Sequence, residues 1–429
     1  MSYAIIEAMN KRGQVMIDFF NNCVFSLIKP VIFAVLTKKG YPQEAKQRKL
    51  GLISEKGFSK EDKVIMFHGV SVGEIVALEN LIKKTREEFV DSKIVVTTGT
   101  YTGQDIAKKK FGQIVDLITY FPFDFEKTVS RFLDKINPNV VMIAETELWP
   151  CFAKECKKRG IKLFVINGRI SDSTYNSYKL IKPLLKQSFN CYSGIFTQSK
   201  EDNDKFLSLG ADSKITEVMN NLKFDVKKPA TNLEFDKNGY KVLLAGSTHQ
   251  GEDEIVLNIF KKLRDNNKDL KLIIAPRHLT RGSEVENLIK DFGFSYDLRS
   301  NNKSDFENID VLLLNTLGEL GKMYAFSDIS FIGGSFNKTG GHNPLESLVF
   351  GKPVISGSSV HNFKDIYAII EKAKAGFVVK TADEFYEIAN KLLSEPEFYD
   401  ETIKNCSKVF AEQQGALEFV IKKLHENLD

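Results

Sequence analysis

A glycine-rich turn carries the strongest chemical signal in this sequence. Gly333-Gly334-Ser335 follows an apolar run, and Gly340-Gly341 leads into Asn343-Pro344-Leu345-Glu346. Asparagine suits a helix N-cap, proline suits the first helical position, and glycines let backbone N–H groups approach an anion. We therefore expect a phosphate-binding turn, with Glu346 accepting hydrogen bonds from ribose hydroxyls. The alternative is a plain strand-to-helix turn with a capping acid.

Three other polar clusters follow apolar runs in the same half of the chain. They are Ser247-Thr248-His249, Pro276-Arg277-His278 and Leu317-Gly318-Glu319. Arg277 offers a planar fork that grips a phosphate. Each cluster is also compatible with an ordinary exposed loop, and His249 with a structural histidine. Their shared position at strand ends favours one ligand site.

The first half of the chain carries the acids suited to proton transfer. Glu74 ends the stretch from His68 to Glu74, which joins an apolar run to a helical pattern. A carboxylate at this place can act as general base, and the helix N-terminus would stabilise its ionised form. The alternative is an acid that only complements the helix dipole.

Further candidates lie at the ends of neighbouring runs. Glu145 and Glu147 precede Trp149, the single tryptophan, and either line a site or cap a helix beside a core residue. Lys223 would offset charge on a departing group, or form a structural turn with Asp225. Hydroxyl and backbone donors for an acceptor are expected from Ser71, Gly73, Thr98 and Thr100, with turn chemistry as the alternative for the two threonines.

The sequence gives poor support for a metal or disulfide site. The six histidines are scattered without an HExxH pattern, and the Asp202–Asp204 DxD falls in a helical pattern. The five cysteines include no CxxC pair, which fits a reducing, cytoplasmic compartment. We expect a metal-independent reaction with no cofactor.

The elements that position these residues alternate between short apolar runs and amphipathic helices, the pattern of doubly wound α/β domains. Two such domains are expected, over 61–225 and 241–405, with a linker over 226–240. A cleft between the carboxyl ends of their strands would hold the ligands. A helix over 406–429 would pack back on the first domain.

Composition and charge indicate which classes of macromolecule or surface this protein binds. The 429 residues are 42% hydrophobic and 27% charged, which indicates a folded protein, and the net charge of +4 is far from a nucleic-acid footprint. Residues 1–60 alone carry +6 beside an apolar stretch over 15–36 that polar residues interrupt. This predicts an interfacial anchor on an anionic membrane rather than a spanning helix. A packing helix pair is the alternative.

The motifs together resemble those of the 3-deoxy-D-manno-oct-2-ulosonic acid (Kdo) transferases of lipopolysaccharide synthesis. The matching stretches are HGVSVGE (68–74), YFPFD (120–124), ETELWP (145–150), NGRIS (167–171), NLKFD (221–225), STHQGE (247–252), PRH (276–278), GEL (318–320), GGS (333–335) and GGHNPLE (340–346). They cover nearly the whole chain in order. Departures from the family pattern are Gly99, Tyr101, Asn315 and Leu317.

The resemblance implies a GT-B-like glycosyltransferase that moves Kdo from CMP-Kdo to a lipid A precursor, with inversion, at the cytoplasmic face of the inner membrane. By the family's pattern Glu74 is the proton acceptor, and Glu145 with Lys223 assists the transition state. CMP contacts would come from Pro276 and Arg277, from 317–319 and from 343–346.

Two other functions remain compatible with these motifs. Another nucleotide-sugar enzyme, such as a UDP-sugar transferase or a nonhydrolysing epimerase, would share the fold and differ in nucleotide preference. A catalytically silent, membrane-associated nucleotide-sugar binding protein would lose nothing on replacement of Glu74.

Overall fold

The computed structural model describes residues 37–38, 40–55 and 57–428, which form two compact units. Unit 1 comprises Met1–Asp225 with Gln414–Asp429, and unit 2 comprises Val226–Gln413. The segment 226–240 is thus part of unit 2. The apolar stretch over 15–36 lies outside the described residues, so its predicted anchor role stays a prediction. Within the described ranges, every helix is too short or too polar to cross a bilayer.

Unit 1 is built on a seven-stranded parallel sheet with the order β3-β2-β1-β4-β5-β6-β7. Its strands are β1 Val64–Gly69, β2 Lys93–Thr98, β3 Leu117–Tyr120, β4 Val140–Ala144, β5 Lys162–Gly168, β6 Gly194–Thr197 and β7 Thr216–Val218. Its helices are α1 Gln43–Lys49, α2 Val72–Ala77, α3 Glu79–Glu88, α4 Tyr101–Phe111, α5 Glu126–Ile136, α6 Pro150–Arg159, α7 Asp172–Leu180, α8 Lys182–Phe189 and α9 Lys200–Ser208.

Unit 2 repeats this architecture with the order β10-β11-β9-β8-β12-β13-β14. Its strands are β8 Lys241–Thr248, β9 Leu270–Pro276, β10 Tyr296–Leu298, β11 Val311–Leu313, β12 Ile329–Ile332, β13 Val354–Gly357 and β14 Gly376–Val379. Its helices are α10 Glu252–Asn266, α11 Gly282–Asp291, α12 Leu320–Met323, α13 Leu345–Leu348, α14 Lys364–Lys372, α15 Ala382–Ser394 and α16 Pro396–Gln413. The last helix, α17 Ala416–Leu428, belongs to unit 1.

Both faces of each sheet are covered, which explains the continuous apolar runs of the central strands. In β1, Val64 and Met66 enter one core while Ile65 and Phe67 enter the other. Side chains of α17, including Val420 and Leu424, fill the second of these cores. The expected α/β class with two doubly wound sheets is confirmed.

The strand order reverses direction at one point in each sheet. In unit 1 this switch point lies between β1 and β4, and in unit 2 between β8 and β12. Open parallel sheets bind ligands beyond the carboxyl ends of the strands at such a point. The loops after β1, β4, β8 and β12 are therefore where chemistry is expected.

Several predicted elements differ from the structure. The helical pattern that follows the stretch from His68 to Glu74 is two helices, which meet at Leu78. The helix expected over 406–429 is split between α16 and α17, because Gly415 adopts a left-handed φ of 98° that interrupts helical hydrogen bonding. Helix α13 begins at Leu345, one residue later than predicted, although Asn343 Oδ1 still accepts from the Leu345 amide at 3.1 Å.

Candidate functional site

Glu74 lies in the first turn of α2, directly beyond the carboxyl end of β1. Ser71 is the N-cap and forms a capping box with Glu74, in which Glu74 Oε1 accepts from the Ser71 amide at 3.2 Å. The Ser71 hydroxyl also donates to Glu74 Oε1, at 2.7 Å. Glu74 Oε2 also accepts from the Val70 amide at 2.7 Å. These bonds hold the carboxylate in one orientation at the switch point.

Glu74 is 9% exposed, and burial raises the pKa of its carboxyl group above the usual value even though Ser71 and the Val70 amide oppose the shift. The amide donors at the start of α2 favour the ionised form of this group, but desolvation outweighs them in the net shift. A raised pKa makes the carboxylate a stronger base, as proton abstraction from a hydroxyl requires.

Two more carboxylates follow β4, the strand beside β1. Glu145 has a left-handed backbone, with a φ of 59°, which is uncommon outside glycine and typical of functional turns. Burial raises the pKa of Glu147 to about 7, and the charges of Glu74 and Glu145 add to the shift. The three acids therefore form one interacting group, which we call the acidic cluster.

Lys223 is the cation of this site. Its Nζ lies 3.8 Å from Glu145 Oε1, and its backbone is held by Asn221, whose Oδ1 accepts from the Lys223 amide at 3.0 Å. The alternative turn between Lys223 and Asp225 is absent from the described contacts, since Asp225 instead accepts from the amides of Gly415 and Leu417. Lys223 is thus paired with Glu145 at the carboxyl edge of the sheet.

The residues predicted to bind the acceptor serve mainly as structural supports. Thr98 is buried and donates to Gln104 Oε1 at 2.6 Å, and Thr100 caps α4 while donating to the Val70 carbonyl at 3.0 Å. Ser71 is committed to Glu74. Gly73 is exposed beside Glu74.

In unit 2 the glycine-rich turn differs from its prediction. The amides of Gly334, Ser335 and Phe336 all donate to the carboxylate of Glu252, at 2.7, 2.8 and 2.9 Å. Glu252 also accepts from the His249 amide at 2.9 Å and is 1% exposed. These three amides are therefore occupied by an internal anion, and the prediction that they bind phosphate is wrong.

Cationic and imidazole groups gather beyond β8, β9 and β12 instead. His249 Nε2 lies 2.8 Å from His342 Nε2, and the ring of His278 meets His249 edge-on at 5.7 Å. Burial lowers the pKa of His342 to about 4, with His249 and Arg277 adding to the effect. Arg277 is exposed at the end of β9. An anion would find an unhindered guanidinium here.

Glu346 lies near this cationic group. Burial raises the pKa of its carboxyl, and the charge of Arg277 partly opposes the shift. Arg277 is therefore close enough for its charge to act on the Glu346 carboxyl, and the ligand site that joins the two residues stays a prediction. Gly340 and Gly341 both have positive φ, of 98° and 76°, in the loop that precedes α13.

Several other residues predicted to bind the CMP-Kdo donor have structural roles. Thr248 donates to Asp253 at 2.5 Å, Ser335 Oγ donates to the Ile332 carbonyl at 2.6 Å, and Arg299 pairs with Glu319 at 3.1 Å. Pro276 closes β9, Gly318 turns with a positive φ of 79°, and Leu317 is exposed. Ser247 also has a left-handed φ, of 57°, at the end of β8.

Sequence reasoning named Glu147 only as an acid that lines a site or caps a helix, and it assigned no individual role to His342 or Glu252. Glu147 stands two residues after Glu145, so a shared strand-end loop was the available signal. His342 sits inside the glycine-rich stretch already singled out. For Glu252 the local signal was only its place at the end of the stretch 247–252, because three of its four amide partners lie more than 80 residues away in the chain. Within the described ranges, no group of three or more His, Cys, Asp or Glu side chains is arranged to hold a metal ion.

Comparisons with known proteins identify the family to which this chain belongs. Residues 43–226 match the family described as 3-Deoxy-D-manno-octulosonic-acid transferase (kdotransferase), and residues 247–409 match Glycosyl transferases group 1. A 3-deoxy-D-manno-octulosonic acid transferase of Haemophilus influenzae is 32% identical over 373 residues, 85% of this chain and 87% of that protein. The chain belongs to the Kdo transferase family.

One more sequence relative and one solved structure are also similar to this chain. A bifunctional glycosyltransferase/methyltransferase of Fusobacterium nucleatum is 37% identical over 86% of this chain, which spans only 58% of that longer relative. The crystal structure of UDP-GlcNAc 2-epimerase from Neisseria meningitidis has a TM-score of 0.54 at 16% identity, covering 85% of this chain and all of that chain. The likeness to this structure shows a GT-B-type fold. The matches to the two families and to the Haemophilus influenzae relative show that this family member is a glycosyltransferase.

Proposed function

We propose that this family member moves Kdo from CMP-Kdo to a lipid A precursor with inversion of the anomeric centre. The observation that carries the proposal is the acidic cluster of Glu74, Glu145 and Glu147 with Lys223 at the switch point of unit 1. A base, its orienting partners and a cation are what the activation of a hydroxyl group needs.

In the proposed reaction an acceptor hydroxyl oxygen attacks the anomeric carbon of Kdo while the bond to the CMP phosphate breaks on the opposite face. Glu74 takes the hydroxyl proton, so CMP leaves as an anion and the protein ends with one extra proton. Lys223, paired with Glu145 at 3.8 Å, offsets negative charge as the transition state forms.

Unit 2 would bind the donor. Arg277 would hold the CMP phosphate as a planar fork, with His249 and His278 beside it, and Glu346 would accept from the ribose hydroxyls. Because the amides of residues 334–336 already donate to Glu252, the side chains rather than this turn would recognise the phosphate. Fixed cations are the proposed reason that the reaction needs no metal.

The proposed acceptor, a phosphorylated glycolipid, lies in a bilayer, so the proposed location is the cytoplasmic face of the inner membrane. Purified protein, CMP-Kdo and a tetraacylated, bisphosphorylated lipid A precursor should react in the presence of EDTA. Mass spectrometry should detect the acceptor with one or more added Kdo units. Activity with UDP-GlcNAc instead of CMP-Kdo would favour another nucleotide-sugar enzyme. CMP binding without product formation would favour a silent binding protein.

A further inference from the structure

The corner between α7 and α8 exposes an unusual amount of apolar surface. Leu180, Ile181 and Leu184 are 85%, 44% and 50% exposed, and they lie within five consecutive residues. Helix α7 has no buried residue at all and is held by the partly buried Tyr175 and Tyr178. Contiguous exposed aliphatic side chains mark an interaction surface more often than isolated ones do.

Lysines surround these apolar side chains. From Ser173 to Lys200 the chain contains no acid, and its charged residues are Lys179, Lys182, Lys186 and Lys200. In the part of the chain that the structure describes, Lys179, Lys182 and Lys186 are exposed and pair with no carboxylate; Lys179 lies over the Tyr175 ring at 4.2 Å. By contrast, Lys205 on the next helix is neutralised by Asp172 at 2.9 Å and Glu201 at 2.8 Å.

This corner follows a helix that leaves the edge of the sheet on which the acidic cluster lies. Helix α7 starts four residues after β5 ends, so its first turn lies beyond the carboxyl end of that strand. Tyr178 is close enough to Glu147 for that carboxylate to influence it electrostatically. The exposed corner begins at the next residue, Lys179.

We propose that the corner formed by residues 179–186 docks on an anionic membrane surface. The three aliphatic side chains would enter the headgroup boundary while the lysines meet anionic headgroups. A second copy of this chain is a poor occupant, because a two-fold contact would bring the unpaired lysines of both copies together. The proposal extends the proposed function, since it would present a bilayer-borne acceptor to the edge that holds Glu74.

Vesicle binding tests the electrostatic part with the full-length chain. Each lysine near an anionic surface contributes about fivefold in affinity at moderate salt. The triple variant Lys179→Gln, Lys182→Gln, Lys186→Gln should therefore bind phosphatidylcholine–phosphatidylglycerol vesicles at least about tenfold more weakly than the parent. The matched control is Lys108→Gln, Lys109→Gln, Lys127→Gln, which changes three exposed lysines elsewhere in unit 1. Equal binding of the triple variant and the parent would overturn the proposal.

Photocrosslinking tests the contact itself, whatever residues 1–36 contribute. The photoreactive residue p-benzoylphenylalanine at Leu180 should yield lipid adducts on anionic vesicles, and the same residue at the exposed Val90 should not. Absence of adducts from position 180 in vesicle-bound protein, or protein dimers crosslinked there, would refute the membrane contact. Both measurements are independent of turnover, so failure of Kdo transfer would not be mistaken for failure of docking. Turnover on detergent-dispersed acceptor should be unchanged in the triple variant.

Discussion

Two glutamates occupy matching places in the two units and differ in the hydrogen bonds that they accept. Glu74 begins α2 after β1, Glu252 begins α10 after β8, and both strands border a switch point. Glu74 accepts only from its own turn, through Val70 and Ser71. Glu252 accepts four amides, three of them from the loop after β12. The saturated carboxylate locks two loops together, whereas the locally held one remains available for a proton.

The surroundings of the two glutamates differ in charge as well. Glu74 has two further acids nearby, and burial together with the charge of Glu145 raises the pKa of its carboxyl. Beyond β8 the neighbours are three imidazoles and Arg277. The same fold therefore carries a group of acids in unit 1 and a group of imidazoles with an arginine in unit 2, because loop residues rather than strand order decide the local chemistry.

Replacing Glu74 should have the largest effect on activity. Glu74→Gln removes the proposed base while preserving side-chain volume, and turnover should fall about 10²- to 10⁴-fold with CMP affinity retained. Coupled measurement of CMP release and calorimetric titration of CMP would separate the two properties. Glu87→Gln, on the exposed side of α3, is the control. Turnover near that of the control would end the general-base assignment.

Replacing Glu252 should affect stability of unit 2 instead. Glu252→Gln leaves buried amides facing a side-chain NH₂ group, and we expect a loss of about 2–4 kcal/mol in the free energy of unfolding. Hydrogen exchange should accelerate for β8 and β12 and stay constant for β1 and β2. Glu254→Gln, on the exposed face of α10, should be neutral. Unchanged exchange in Glu252→Gln would remove the distinction between the two glutamates.

The acidic cluster should cost stability at high pH. Glu147 has a pKa raised to about 7, so its contribution to stability is present below the unfolded value near 4.5 and is lost as pH rises through 7. Glu147→Gln should therefore stabilise unit 1 by about 1–3 kcal/mol at pH 8 and have little effect at pH 4. Urea unfolding at both pH values checks this. A gain that does not depend on pH would indicate a packing effect.

Replacing Arg277 should have the smallest effect of these variants and should change only the affinity for the ligand. Arg277→Lys keeps the charge but loses the planar fork, and CMP should bind about tenfold more weakly. Calorimetry with CMP and with cytidine separates the phosphate contact from the rest, since cytidine carries no phosphate. An equal loss for both ligands would place Arg277 elsewhere in the site.

Sequence patterns predicted the central strands because strands buried on both faces are apolar along their length. They missed β7, Thr216–Val218, and β10, Tyr296–Leu298, which are three-residue strands at sheet edges containing Glu217 and Asp297. One polar side of such a strand faces solvent, so no apolar run marks it. The break at Leu78 was also invisible, because neither glycine nor proline interrupts the helical pattern there.

The sequence by itself determined the hydrophobic patterns of the helices and strands and the N-cap of α2 at Ser71. It also determined that Glu74, Glu145 and Arg277 follow the ends of strands. These features depend on neighbours a few residues apart. Only the tertiary structure decided which groups meet. The Gly334–Phe336 amides meet Glu252 across 82 to 84 residues, and His249 meets His342 across 93. Such contacts arise from the register of parallel strands that are distant in the chain, which local patterns do not encode.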